Sequence, residues 1–165
     1  MLRTPLTKVI RYSSLTILMV SLTALINTIA HARETPGIFD DVTISHPFSP
    51  DPLMVRGMSG GSVPASQVAG RTETPTGPCS GFVDAAPDHT LKLGTKFDYL
   101  KLVVQSPADT IMIIKGPGGT WCNDDLDGKN PGIVGEWLRG TYQIWVGSYD
   151  KGKYLPYSLK ITETK

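Results

Sequence analysis

The chain has few cysteines, few histidines and no cluster of basic residues, and each shortage excludes some classes of function. Its 165 residues include two cysteines, three histidines, 16 basic residues and 15 acidic residues. Because the basic residues are scattered, they form no patch that would attract nucleic acid. No stretch beyond residue 32 keeps an apolar period of 3.6 residues, so the sequence predicts no long amphipathic helix there.

The first 32 residues have the three-part layout of a secretory signal peptide. Arg3, Lys8 and Arg11 precede a mostly apolar run over 15–29, and the small-x-small triplet Ala30-His31-Ala32 follows it. A membrane anchor is the alternative, but the run is shorter than the roughly 20 apolar residues of a spanning helix, and polar side chains interrupt it. We therefore predict cleavage after Ala32 and a secreted or periplasmic protein with no membrane span. Cleavage removes three basic residues and no acid, which leaves the mature chain slightly negative.

Composition divides the remaining chain in two. Residues 33–78 hold seven prolines and several glycines, so we expect a Pro/Gly-rich extended arm with at most a short edge strand at 53–56. Residues 79–165 contain short alternating or wholly apolar runs separated by turn residues. We predict strands at 80–84, 89–93, 98–105, 110–115, 140–148 and 157–162. This spacing predicts an all-β domain, an antiparallel β-sandwich or a jelly-roll-like fold.

The last two predicted strands alternate strictly, which assigns their faces. Tyr142, Ile144 and Val146 share one face of the first, and Leu159 and Ile161 share one face of the second. We expect these five side chains in the core, with a hydrogen-bond partner for the Tyr142 hydroxyl if it is buried.

Cys79 and Cys122 are the only two cysteines. Two cysteines in an exported chain usually pair, and closing a loop of this length stabilises the fold by about 4 kcal/mol in the chain-entropy account. A metal pair or a nucleophile is disfavoured, because there is no Cys-x-x-Cys spacing and no activating neighbour in the sequence. We predict a disulfide.

The run Met58-Ser59-Gly60-Gly61-Ser62 invites comparison with the Ser-Gly-Gly of trypsin-like proteases. Those enzymes place a histidine base and an orienting carboxylate beside the serine, and His46 is the only mature histidine upstream. We interpret the run as a flexible glycine turn and His89 as a turn or surface residue, and we predict no catalytic residue. A small extracytoplasmic hydrolase with an unrecognised carboxylate site and a structural envelope component stay open as alternatives.

The three tryptophans have two interpretations. Trp121 and Trp137 lie beside turns, and Trp145 lies on the strand face opposite Tyr142. They can cover a sheet or close its end, which is the plainer expectation. Exposed aromatic rings on a sandwich can also stack on sugar rings.

The segment after Cys122 is rich in carboxylates. Asp124, Asp125 and Asp127 fall within four residues, and Asp109 precedes the strand that leads towards them. Oxygen-rich loops suit a hard cation such as calcium, although the spacing is not that of an EF-hand. The alternative is a solvated turn in which Asp and Asn side chains bond their own backbone.

Residues 79–165 resemble the bacterial pre-peptidase C-terminal domain, a β-sandwich found on secreted proteins. The family's pattern is an Asp before a strand, an acidic turn, a Gly-Thr-Tyr opening a late strand and a closing Tyr-x-Leu-x-Ile. The matching segments are Asp109-Thr110-Ile111-Met112-Ile113-Ile114-Lys115-Gly116, Trp121-Cys122-Asn123-Asp124-Asp125, Gly140-Thr141-Tyr142-Gln143-Ile144-Trp145-Val146-Gly147 and Tyr157-Ser158-Leu159-Lys160-Ile161.

In that family the domain usually follows a protease and is thought to aid secretion or substrate binding. No peptidase precedes the module in this sequence. The resemblance therefore implies a free-standing, exported, non-catalytic binding or accessory module, whose partner is an envelope or extracellular protein or carbohydrate.

The carboxylate segment generates a test by thermal denaturation. If it binds calcium, millimolar calcium should raise the unfolding midpoint by mass action, and Asp124→Ala or Asp125→Ala should abolish the rise. An equal midpoint in calcium and in a chelator would show that the segment is only a solvated turn.

Overall fold

The computed structural model of the protein describes residues 37–165. The predicted signal peptide and its cleavage site therefore lie outside the described residues, as do the first four residues of the predicted arm. Between residues 37 and 165, every helix is too short or too polar to cross a membrane.

The described chain folds into thirteen strands and one short helix. Two predicted strands, 89–93 and 140–148, have the bounds that the alternation assigned. β10 and β11 were not predicted. The elements are β1 Val42–Ile44, β2 Leu53–Ser59, β3 Val63–Pro64, α1 Ala65–Ala69, β4 Glu73–Thr74, β5 Gly77–Pro78, β6 Phe82–Val83, β7 His89–Leu93, β8 Phe97–Gln105, β9 Thr110–Gly116, β10 Gly119–Asn123, β11 Gly132–Trp137, β12 Gly140–Ser148 and β13 Leu155–Thr162.

Two sheets hold most of these strands, and β12 is the centre of the first. β12 pairs antiparallel with β7 on one edge and with β9 on the other, and it meets β6 at its end. β1 pairs with β7 in parallel, β10 lies outside β9, and β3 lies outside β6. The second sheet has the order β11-β8-β13-β2, and β4 and β5 form a separate small hairpin.

The main core lies between the two sheets. Tyr142, Ile144, Val146, Leu159 and Ile161 are each at most 1% exposed and belong to one cluster with residues of both sheets. The predicted faces and the all-β sandwich are therefore confirmed, with one parallel pair, β1 and β7, in an otherwise antiparallel arrangement.

A second, smaller core covers the outer face of the first sheet. Trp145 packs there with Ile111 and Ile113, against the Cys79–Cys122 disulfide and the alanines of α1. α1 follows Pro64 and is capped by Gly70, whose N–H donates to the Ser66 carbonyl. The φ of Gly70, 74°, turns the chain so that the Arg71 N–H donates to the same carbonyl. The predicted disulfide is thus formed, and it holds the chain before β6 against β10. Trp145 has the plainer of its two expected roles, covering the second face of a sheet.

In the part of residues 33–78 that the structure describes, the predicted extended arm contributes strands to both sheets. β1 extends the first sheet, and β2 is an edge strand of the second, beside β13. The expected edge strand at 53–56 is confirmed within β2. Prolines stand before and after β2 rather than inside it, so they limit the length of the strand without removing its ladder bonds.

The glycines after Ser59 are tightly packed, which corrects their interpretation as a flexible turn. Gly60 and Gly61 have φ values of 130° and 138°, a region that favours glycine. The Gly60 N–H donates to the Val146 carbonyl. A Cβ on Gly61 would overlap the backbone of Val83, so the run is the place where β2 crosses closely over the first sheet.

Removing the side chain at the middle of β12 tests this packing. Ile144→Ala should lower the free energy of unfolding by about 2–5 kcal/mol, because the site is fully buried between the sheets. The control is Gln143→Ala on the opposite face, where a change within about half a kcal/mol is expected. Urea denaturation measures both. A loss within about half a kcal/mol for Ile144→Ala would mean that the faces of β12 are inverted.

Candidate functional site

A pocket lined by aromatic side chains opens between β10 and β11. β10 ends the first sheet on this side and β11 ends the second, so neither strand pairs with a further strand among residues 37–165. The cavity has a volume of about 310 Å³, at the lower end of the range for small-ligand sites. The side of the sandwich between these two edges is therefore open to a ligand.

The floor of the pocket is fixed by aromatic packing and by hydrogen bonds. The rings of Trp137 and Tyr142 are both buried and lie edge to face, with centroids 4.9 Å apart. Trp137 Nε1 donates to the Leu100 carbonyl at 3.0 Å, and the Tyr142 hydroxyl donates to the Leu138 carbonyl at 2.9 Å. Because every polar atom of these rings has a partner, the floor needs no rearrangement when a ligand binds. The expected partner of the Tyr142 hydroxyl is thus confirmed.

The mouth of the pocket is apolar. Trp121 is half-buried, with its ring centroid 6.5 Å from that of Trp137, and Val134 and Leu138 are 43% and 47% exposed. A ligand that covers these side chains gains roughly 25 cal/mol for each Å² of apolar surface removed from water. At the rim, Glu136 is engaged by Lys96 at 3.0 Å. The pocket therefore suits an aliphatic group, an aromatic ring or the apolar face of a sugar.

The free edge of β11 adds backbone hydrogen-bonding groups beside the mouth. The Pro131 carbonyl accepts from the Val104 N–H of β8. In an antiparallel pair, residues that bond to the partner strand alternate with residues whose backbone N–H and C=O groups point away from it. The Gly132 N–H accordingly points outwards and donates to Asn123 Oδ1 at 2.9 Å. Val134 follows the same phase, so its N–H and C=O face the open side.

The upper part of β10 is held by the β4–β5 hairpin. Cys122 donates its N–H to Thr74 Oγ1 at 2.9 Å, and its carbonyl accepts from Thr76 Oγ1 at 2.8 Å. Asn123 Nδ2 donates to the Thr76 carbonyl at 2.8 Å. Thr76, which lines the rim of the pocket, is therefore positioned by the same backbone that carries the disulfide.

The carboxylates predicted as a calcium site do not converge. Asp124 Oδ2 accepts from Ser80 Oγ at 3.2 Å, and Asp125 and Asp127 are exposed. Across residues 37–165, no three His, Cys, Asp or Glu side chains, Asp109 included, are grouped so that they could hold a metal ion. The turn is closed by backbone bonds between Asp127 and Asn130 instead. Calcium binding here stays a prediction, which thermal denaturation with calcium and with a chelator tests.

Ser59 and His46 have separate structural roles. Ser59 is buried at the end of β2, and its hydroxyl donates to the Leu155 carbonyl at 3.1 Å. His46 is exposed, and its Nδ1 lies 2.7 Å from a Glu163 carboxylate oxygen. Both side chains are therefore engaged elsewhere than with each other.

His89 is buried in the core, which corrects its interpretation as a turn or surface residue. Its Nδ1 lies 2.8 Å from the Asp40 carbonyl, and its Nε2 lies 2.8 Å from the Tyr157 hydroxyl on the opposite sheet. Room for that hydroxyl comes from Gly57, where a Cβ would lie 2.5 Å from it. The sequence held a signal for this placement, because alternation puts His89 on the same face as Leu91 and Leu93.

Asp88, beside this histidine, is a buried carboxyl that the sequence analysis did not single out. Oδ2 accepts from the Val146 N–H at 2.7 Å, while Oδ1 is buried with no hydrogen-bond partner among residues 37–165. Burial raises the pKa of this carboxyl to about 8. The hydrogen bond from Val146 lowers this pKa, and the negative charge of Asp84 raises it further. Burial lowers the pKa of His89 and raises that of Tyr157. The neutral form of each group is therefore favoured inside the sandwich.

Comparisons with known proteins identify a curated sequence relative and a similar solved structure. No family model matches the chain. An uncharacterized protein of Synechococcus elongatus is 29% identical over 114 residues, which are 67% of this chain and 75% of that protein. Among solved structures, the pre-peptidase C-terminal domain of a collagenase from Bacillus anthracis is similar, with a TM-score of 0.44 and 12% identity over 75% of this chain and 96% of that domain.

The raised pKa of Asp88 predicts a stability that falls as the pH rises. The unfolded chain gives up this proton near its ordinary pKa of 3.8, whereas the folded chain keeps it to about pH 8. The free energy of unfolding should therefore fall by about 1 kcal/mol per pH unit between about pH 5 and pH 7 relative to Asp88→Asn. The lowered pKa of His89 makes the free energy of unfolding rise with pH instead. Because both proteins contain His89, this contribution cancels in the comparison. Urea denaturation across this range measures it, and parallel pH profiles for the two proteins would contradict it.

Proposed function

We propose that this chain is an exported, non-catalytic binding or accessory module of the pre-peptidase C-terminal type, and that the aromatic pocket is its ligand site. The observation that carries the proposal is the pocket between β10 and β11. Its floor is preformed by Trp137 and Tyr142, and its mouth keeps three apolar side chains in contact with water. Such a surface is costly to leave uncovered, and concave aromatic sites are where ligands bind.

A non-catalytic role is supported by the engagement of the side chains that could act as nucleophile or base. Ser59 and His89 bond to groups within the fold, and His46 faces Glu163. Asp88 has the strongly raised pKa that catalytic acids need, but it is only 1% exposed. A buried carboxyl without access to the pocket is better explained as part of the core.

Export is supported by two independent features. The amino-terminal sequence has the layout of a signal peptide. The Cys79–Cys122 disulfide suits an oxidising compartment, since cytoplasmic thiols are kept reduced. A secreted or periplasmic location follows from both.

The pocket also limits the size of the ligand group that it can take. A volume of about 310 Å³ accommodates one ring or one branched apolar group. Stacking against Trp121 would hold a sugar ring or an aromatic side chain, and the outward N–H and C=O of Val134 would fix its orientation. The ligand is thus an envelope or extracellular molecule, carbohydrate or protein, that presents one such group.

Binding to the envelope fraction of the producing cell tests the proposal. The exported protein should cosediment with that fraction, and Trp121→Ala should weaken binding at least about tenfold, because the substitution removes one wall of the pocket. Tyr149→Ala is the matched control, since Tyr149 is an aromatic residue that is 58% exposed in the loop after β12. Protease or glycosidase treatment of the fraction then identifies the class of ligand.

Thermal denaturation should show that both variants remain folded. Equal binding by Trp121→Ala and the unmodified protein would exclude the pocket as the ligand site. Loss of binding in both variants would point to a different aromatic surface.

A further inference from the structure

The outer face of the second sheet carries a line of positive charge. Along β2, β13 and β8 the inward side chains fill the core, and the outward positions hold Arg56, Lys160 and Lys101. Arg56 is exposed, and the two lysines are half-buried, so their apolar stems lie on the sheet while their ammonium groups reach water. We call these three residues the cationic row.

The register of the strands makes this row straight. Arg56 lies opposite Ser158, so Lys160 is one strand across and two residues further along. Lys101 lies opposite Thr162, which is again one strand across and two residues on. With strands about 4.8 Å apart and a rise of about 3.3 Å per residue, neighbouring Cα atoms of the row are about 8 Å apart. The row therefore crosses three strands diagonally at a regular spacing.

The three side chains of the row form no ion pair among residues 37–165. The ion pairs found among residues 37–165 join His46 to Glu163, Lys96 to Asp98 and Glu136, and Lys153 to Asp150. None of them involves the row. Unpaired cations at regular spacing attract a polyanion that matches that spacing.

Two acids lie beside the row, and neither forms an ion pair with it. Asp51 accepts hydrogen bonds from the Thr164 hydroxyl and the Glu163 N–H. Asp127 is exposed in the loop before β11. A further cation, Lys165, lies 5.7 Å over the ring of Tyr99. Positive charge therefore remains in excess along this face.

The surface is recessed rather than protruding. Lys101 and Lys160 line a groove of about 500 Å³, and Arg56 is not among its lining residues. Lys165, Asp51 and Asp127 line the same groove. A flat bilayer would contact a raised patch more readily than a groove, whereas a single polymer chain fits inside one. The shape favours a linear ligand.

The chemistry between the cations favours a carbohydrate. The backbone groups of β13 and β8 are used in the sheet, so a ligand that crosses these strands meets side chains only. Those beside the row include the Ser158 hydroxyl and the Gln105 amide, which can bond sugar hydroxyl groups, and the apolar side chains of Met54 and Val103 flank Lys160. An extended acidic peptide would instead pair with the free edge of β2, along that strand rather than across the row.

We propose that the cationic row binds an acidic polysaccharide, a linear sugar chain with carboxylate or phosphate groups at regular intervals. The groove shares no lining residue with the aromatic pocket, so the proposal goes beyond the ligand site described above. The mature chain is slightly negative, so its overall charge does not attract polyanions. Binding must come from this local arrangement.

Titration of the exported protein with polygalacturonate tests the proposal. Binding should be measurable at an ionic strength on the order of 10 mM and weaken strongly at about 150 mM. The double variant Lys101→Ser and Lys160→Ser should bind about tenfold more weakly, since each exposed ion pair contributes up to about 1 kcal/mol. The matched control is Lys92→Ser with Lys151→Ser. It has the same change in net charge on the first sheet and a distant loop, and its affinity should be unchanged.

Three further arms decide between ligands. Neutral dextran should not bind. Poly-glutamate binding as tightly as polygalacturonate would assign the row to acidic protein segments, and tighter binding to phosphatidylglycerol vesicles would assign it to membranes. Either result overturns the proposal, as does equal loss of affinity in the control variant. Trp121→Ala should leave polygalacturonate binding intact, so failure of the aromatic pocket and failure of the cationic row are distinguished.

Discussion

The burial of β12 on both of its faces is the constraint on which the rest of the structure depends. Tyr142, Ile144 and Val146 point into the space between the sheets, and Trp145 points to the other side. The second sheet covers the first face. The other face also needs cover, and among residues 37–165, which contain a single five-residue helix, α1 with the disulfide supplies it. The segment before Cys79 is therefore part of the fold, although its composition is that of a loop.

The polar groups between the sheets show how the sandwich accommodates burial without charge. His89 of the first sheet and Tyr157 of the second share a hydrogen bond across the core, and the Asp40 carbonyl is the partner of the other ring nitrogen of His89. Asp88 uses one oxygen to hold the N–H of Val146, a central residue of β12. In the neutral forms that burial favours, His89 and Tyr157 connect the two layers with a directional bond. The Asp88 bond fixes the chain before β7 to β12 within the first sheet. Apolar contacts alone would leave the relative position of the layers less specific.

The sequence predicted most reliably where alternation was strict. β7 and β12 have the predicted bounds, and the five predicted core side chains are buried, because period-two patterns identify the buried face directly. β10 and β11 were missed because neither alternates strictly: Trp121 and Cys122 are adjacent in β10, and Gly135 interrupts the apolar residues of β11. The burial of Trp137 and the partial burial of Trp121 arise from tertiary packing that no local pattern encodes.

The candidate site could not be predicted for the same reason. The aromatic pocket lies between the two unpredicted strands, and although the sequence identified its tryptophans, it could not bring them together. The acidic segment stays a prediction: its carboxylates are neighbours in sequence, and in the described part of the chain no three of them are grouped so that they could hold a metal ion. His89 could have been placed correctly, because its spacing from Leu91 and Leu93 was visible. The cationic row required the register of three strands, which depends on contacts between residues far apart in the chain.

The pairing of β1 and β2 has a consequence for how the chain folds. Val42 pairs with Leu91, and Leu53 pairs with Ile161. Contacts between such distant positions form slowly, because a long loop must close before either strand gains a partner. β2 therefore stays an unpaired edge until β13 folds against it. A chain without β13 would leave β2 and β8 both without their shared neighbour, so it would carry exposed sheet edges and would not simply be a slightly shortened domain.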